Sequence, residues 1–237
     1  VIKNHISKED KYTFAFKELC NYLGVKKIKK IEGYDVSHIS GDNAVASCVV
    51  FSNTGSIKSD YRLFNIPKDI SGNDIGSLEH VLSRRLKYYD NPSTKPDLIL
   101  IDGGKTQLKF VSNVISKSKY KHLEVISIVK GSNRVRATET IISKSGVVQL
   151  DKHSKAFLLL QEIRDESHRF AIRAQRNKKR KTITKSELDN IKGLGSILKT
   201  RLMNEFKNIK NIKSANLSDL MTVKGISEKI ARNILNM

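Results

Sequence analysis

The run Leu98-Ile99-Leu100-Ile101, left through Asp102-Gly103-Gly104, restricts the fold of this chain more than any other feature. Four apolar residues without polar alternation require cover on both faces, the condition of a central strand between helical layers. The two glycines turn the chain directly into a helical pattern over Lys105–Ser116, and Val125–Val129 follows as a second buried strand. Strand, helix and strand in that order make a parallel crossover unit.

Upstream, Ile31–Ser37, Ala44–Phe51 and Lys58–Ile66 read as three strands joined by turns at Gly41-Asp42-Asn43 and Asn53-Thr54-Gly55, an antiparallel meander. A helix over Tyr12–Tyr22 precedes them, with Phe16, Leu19, Cys20 and Leu23 on one face and Gly24 at its end. Asn73 or Asp74 caps a helix reaching about Tyr89, with Ile75, Leu78, Val81, Leu82 and Leu86 on its apolar face. Glu139–Ile142 and Val147–Leu150 form a hairpin, and a long helix starts near Ser154 and passes His168. A meander followed by α/β units predicts a mixed sheet flanked by helices, an order that the ribonuclease H-like fold uses.

Charge then points to a partner. Lys and Arg total 44 against 24 acidic residues, a net charge of +20, which favours a polyanion such as nucleic acid. Between Arg169 and Lys185 the chain is basic without a single acid, as a linker or mobile arm that neutralises phosphates would be. Beyond it, Ile191-Lys192-Gly193-Leu194-Gly195 and Val223-Lys224-Gly225-Ile226-Ser227 repeat one pattern. Gly193, Gly195 and Gly225 suit tight turns that aim backbone N–H groups at phosphate, with Lys192 and Lys224 adding charge beside them. The expected divisions are an N-terminal helix and basic link (1–30), an α/β domain (31–176), a basic linker (177–185) and a small all-α domain (186–237). Two cysteines make no disulfide framework, and no run approaches membrane-spanning length, so a soluble, cytoplasmic protein is expected. The first residue is Val1, and a missing N-terminal part is expected.

Three clusters hold candidate chemistry. Asp35 sits inside an otherwise apolar strand, where a carboxylate is costly unless it is paired or binds a cation. Asp102 stands at the carboxyl end of the buried strand, where open α/β sheets place ligands, although a turn or helix cap also suits it there. Together they could hold a hard divalent ion such as Mg²⁺ or Mn²⁺. Gly103-Gly104-Lys105-Thr106 imitates the end of a Walker A loop, but Ile99 stands where its first glycine belongs; ATP binding is rejected and Lys105 is kept as a phosphate contact. On the long helix, His168 could ligate a metal or move a proton, with Asp165 three residues earlier to orient it.

The segments Tyr34-Asp35-Val36-Ser37-His38, Val45–Phe51, Leu100–Lys105 and Ile163–Ala171, in this order, closely resemble the C-terminal half of the UvrC family, the nuclease subunits of bacterial excision repair. The resemblance implies a ribonuclease H-like domain that incises DNA 5′ to a bulky lesion, using an Asp–Asp–His constellation and a divalent metal. Its motifs put those roles on Asp35, Asp102 and His168, with His168 as ligand or base. Asp74 falls in a stretch similar to the family's Gly-Asp-Asp-Tyr and is a further acidic candidate. Lys105, Arg164, Arg169 and Arg173 are expected to hold phosphates, and the tail resembles a tandem helix-hairpin-helix domain that grips a junction of duplex and unwound DNA. Damaged double-stranded DNA and UvrB are the implied partners, the latter through a region missing here, as is the 3′-incising domain. The competing expectation is a DNA-binding scaffold on the same fold without activity.

Overall fold

The computed structural model describes residues 8–37, 44–129 and 139–236, with side chains described throughout except at 8–10, 37 and 178–186. His38 and the turn at 41–43 lie outside them. Two compact units result, Val1–Gln175 and Arg176–Met237.

The first unit runs α1 (Lys8–Leu23), β1 (Lys30–Ser37), β2 (Val45–Ser52), β3 (Gly55–Ser56), β4 (Arg62–Asn65), α2 (Asp74–Arg85), β5 (Leu98–Asp102), α3 (Lys105–Ser116), β6 (Glu124–Val129), β7 (Thr140–Ser143), β8 (Gly146–Val148) and the part of α4 (Lys155–Asp189) up to Gln175. The sheet order is β3-β2-β1-β5-β6-β7-β8, with β4 also on β2. Strands β1, β5 and β6 are parallel at the centre, and antiparallel strands extend the sheet on both sides. This is the mixed sheet flanked by helices that the element order predicts.

Three details differ from the sequence expectations. The third strand spans only Arg62–Asn65, because Lys58–Asp60 forms a 3-10 turn and β2 divides its outer edge between β3 and β4. The helix expected to lie apart at the N-terminus buries Tyr12, Ala15, Phe16 and Leu19 in the same core as the sheet. The basic block beyond Arg169, expected as a linker or arm, has helical backbone throughout, since α4 continues to Asp189. No Gly or Pro interrupts Lys155–Asp189, and Lys, Arg and Gln are good helix formers, so propensity outweighs repulsion between like charges.

Alternation along β1 sends its side chains to opposite faces. Gly33 and Asp35 face α4, where Gly33 meets Ile163 and Asp35 meets His168. Glu32 and Tyr34 face the other way, into a polar network that contains no water-exposed member. Glu32 is fully buried and pairs with Arg85, the last residue of α2, through Nε (3.0 Å) and Nη2. The hydroxyls of Tyr34 and Tyr89 donate to its second oxygen. Burial, reinforced by the charge of Glu32, raises the Tyr34, Tyr89 and Cys48 groups well above their ordinary pKa, so all three stay protonated. Burial alone would lower Arg85, but its hydrogen bond and charge contact with Glu32 hold it above its ordinary value.

The second unit contains α5 (Ser196–Phe206), α6 (Ile209–Lys213), α7 (Leu217–Met221) and α8 (Glu228–Leu235) around a core that includes Leu202, Ile212, Leu220, Ala231 and Ile234. Gly193 (φ 89°) and Gly225 (φ 95°) occupy the left-handed region that favours glycine, one in each repeat. No described helix is long and apolar enough to cross a membrane.

Candidate functional site

Asp35 and Asp102 are register partners across the parallel β1–β5 pair, so both carboxylates stand on one face near the strand ends. Asp35 is 6% exposed and Asp102, the last residue of β5, is half-buried. His168 reaches them from α4: its Nδ1 lies 3.1 Å from Asp35 Oδ2, and its side chain is 53% exposed. One ligand atom from each of the three lies within 4.8 Å of the others.

Neighbouring residues fix this geometry. At Gly33 a Cβ would overlap Ile163 Cγ2 and sit 3.2 Å from Val49 Cγ2, so the glycine lets α4 lie close against β1. Ser47, the β2 partner of Asp35, donates its buried hydroxyl to the carbonyl of Ser167 at 2.8 Å, pinning the helix one residue before His168. Ser127 of β6 contacts the carbonyls of Ile101 (3.0 Å) and Gly103 on either side of Asp102. Gln107 accepts from the Gly104 N–H at 2.7 Å and donates to Asp74 at 2.6 Å. These positioning residues carried no signal in the sequence, since serines and glycines in strands are common and their partners are remote.

Gly33→Ala is expected to push α4 outward. Overpacking of this kind costs about 1–3 kcal/mol. If His168 acts in catalysis, turnover should fall by ~10–100-fold, as when other supporting groups of a metal site are lost. Urea denaturation and nicking rates on the same preparation would check both.

The remaining candidates are distributed as follows. Asp74 stands outside the three-residue group and braces the Asp102 loop through Gln107. Asp165 is 67% exposed and pairs with Arg164 at 2.5 Å; the carboxylate that meets His168 is Asp35 instead. Arg164 also pairs with Glu139, and Arg169 with Glu166. Lys105, at the first position of α3, is exposed, as is Arg173. In the second unit the repeat is structural. Asn233 of α8 donates to the carbonyl of Lys192 at 2.9 Å, and Arg201 of α5 donates to the carbonyl of Lys224 at 2.6 Å, so each hairpin is latched by the other's helix. Gly195 caps α5 without a side chain, whereas the Ser227 hydroxyl accepts from Ile230 N–H at the start of α8.

Two carboxylates side by side, one of them nearly shut off from water, repel each other and lack solvation. With an imidazole completing the set, oxygen and nitrogen donors converge as a hard or borderline divalent cation requires. The exposed side of His168 leaves the group open to a solute.

Residues 20–172 match the family described as the UvrC RNAse H endonuclease domain, and residues 185–236 match the SAM-like helix-hairpin-helix tandem. UvrABC system protein C of Saccharophagus degradans is 38% identical over 242 residues, covering 100% of this chain and 39% of the relative. The protein of the same name from Haemophilus influenzae (strain Rd) is 38% identical over 240 residues, covering 97% and 39%. Among solved structures, the catalytic domain of human endonuclease V is similar over 64% of this chain and 84% of that one, at 13% identity and a TM-score of 0.41. The chain thus spans about two-fifths of the length of the curated relatives it matches. With a ribonuclease H-like domain that carries the Asp35–Asp102 pair and a helix-hairpin-helix domain after it in the chain, this chain belongs to the UvrC family.

Proposed function

We propose that this chain is the part of an excision-repair nuclease that hydrolyses one phosphodiester of DNA, on the 5′ side of a bulky lesion. The observation that carries this reading is the register pairing of Asp35 with Asp102 under His168. Asp35 and Asp102 would hold a divalent cation, Mg²⁺ or Mn²⁺, which when bound polarises a phosphoryl oxygen and lowers the pKa of water. His168 completes the site as a third ligand or as the base that takes the proton from the attacking water; its contact with Asp35 orients the ring for either role. Asp74 supports the loop after Asp102 from its place on Gln107.

Around this centre the chain supplies cations for a polyanion. Lys105 follows the Asp102 loop, and Arg169 and Arg173 follow His168 along α4. Arg164, held by Glu139 and Asp165, would reach phosphate only by exchanging those partners. In the second unit, Lys192, Gly193 and Gly195 form one phosphate cradle and Lys224 and Gly225 the other, contacts that grip backbone without reading sequence. The partners in this reading are damaged double-stranded DNA and UvrB, and the setting is the cytoplasm.

The test is a duplex with one bulky adduct and a pre-made nick on its 3′ side, incubated with or without UvrB in Mn²⁺, Mg²⁺ or EDTA. Cutting on the 5′ side of the adduct that requires the metal is the expected result. Tight binding with no cut under any condition would instead favour a scaffold that has lost activity.

A further inference from the structure

A groove of about 640 Å³ lies between α3 and the β7–β8 hairpin, outside the three-residue centre. Its rim carries Lys105, Lys109 and Lys144, and among the described residues no acid lines it. Leu108 and Ile142 are buried in its floor, with Val147 more exposed beside them. Lys105 and Lys109 are one helical turn apart, so their side chains share a face of α3. Ser112 continues that face, and its hydroxyl is shielded from solvent without a hydrogen-bond partner.

The groove also has a direction. Helix α3 begins two glycines after Asp102 and leads into β6, which is parallel to β5, so α3 runs back against the strand direction. The groove therefore starts beside the catalytic edge of the sheet and leads away from it. From Lys105 to Ser116, its lining covers about 16 Å of helix at 1.5 Å per residue. Its lining suits one strand, with phosphates on the lysines and sugar or base faces on the apolar floor.

Resting on the endonuclease reading above, we propose that this groove holds the single DNA strand that flanks the scissile phosphate on one side. Lys105 takes the phosphate nearest the Asp102 loop, and Lys109 and Lys144 take the next ones from opposite walls. An acidic polypeptide would also meet the lysines, but the continuity of the groove with the catalytic edge favours the strand being cut.

The test uses the double variant Lys109→Glu/Lys144→Glu, two exposed changes that spare the core. Wild type and variant are compared on tailed duplexes whose strand is trimmed one nucleotide at a time, first on one side of the cut and then on the other. Wild type is expected to lose about tenfold in affinity and nicking when one side is trimmed, on the scale of a lost stacking or charge contact. The variant should start at that lower level and show no further fall. Its salt slope for single-strand binding should drop by about 1.4, or ~0.7 for each lost phosphate contact. A variant with the full trimming response and the wild-type salt slope would overturn the proposal and leave the groove to an acidic polypeptide. Failure of the wild type to nick any substrate would count against the endonuclease reading alone, because the binding series still decides the groove.

Discussion

Arg85→Leu is expected to destabilise the first unit by about 3–5 kcal/mol, the usual effect of removing one partner of a buried ion pair. Glu32 would remain with no exposure, solvated by the Tyr34 and Tyr89 hydroxyls and the Cys48 thiol in place of a countercharge. At roughly 2–4 °C per kcal/mol for a unit of this size, the melting temperature should fall by about 6–20 °C. The comparison that isolates the cause is Glu32→Leu with Arg85→Leu. Removing both charges leaves no buried ion, so the double variant should recover most of the loss, and apolar replacement of such pairs is often neutral. Urea midpoints followed by circular dichroism measure all three proteins. A loss below about 1 kcal/mol in the single variant would mean that water reaches Glu32 and that the network does not hold α2 on the sheet.

Asp102→Ala is expected to reduce DNA nicking by more than ~10³-fold, at or beyond the loss seen when one preorganised electrostatic group is removed from an active site. DNA binding should persist, because the contacts that neutralise phosphates come from Lys and Arg elsewhere on the chain. Folding should persist too, since the change relieves the repulsion between two neighbouring carboxylates. A second readout separates a metal role from a purely structural one. In the wild type, Mn²⁺ at about 100 times its Kd should stabilise the protein by ~2.7 kcal/mol through binding to the native state. The variant should show little of that increment. Equal metal stabilisation in both proteins would place the ion away from Asp102.

Asp35 stood out in the sequence because it interrupts an apolar strand, and Asp102 because it ends a buried one where open α/β sheets place ligands. The helix α3 was legible from its start at Lys105 to about Ser116, since the two glycines mark its beginning and the amphipathic pattern its extent. The register that makes Asp35 and Asp102 neighbours was not, because pairing between strands 67 residues apart leaves no local trace. The same holds for Gly33 against Ile163, Ser47 under Ser167 and Glu32 with Arg85. Asp165 illustrates the reverse error. Its i, i+3 spacing from His168 suggested a contact, but Arg164 lies beside it and solvent surrounds it, while Asp35 approaches the ring from the sheet. The basic block marks the division between the units, as read, but its conformation differs: charge repulsion argued for an arm, whereas thirty-five residues without Gly or Pro favour one continuous helix.

The central claim is that Asp35, Asp102 and His168 hold the metal that cutting requires. Anomalous diffraction from crystals of the chain soaked in Mn²⁺ tests it most directly, with nicking measured on the same preparation. The account predicts a manganese peak within coordination distance of carboxylate oxygens from both Asp35 and Asp102. A protein that nicks DNA with its manganese bound elsewhere, and none between these two strands, would contradict it.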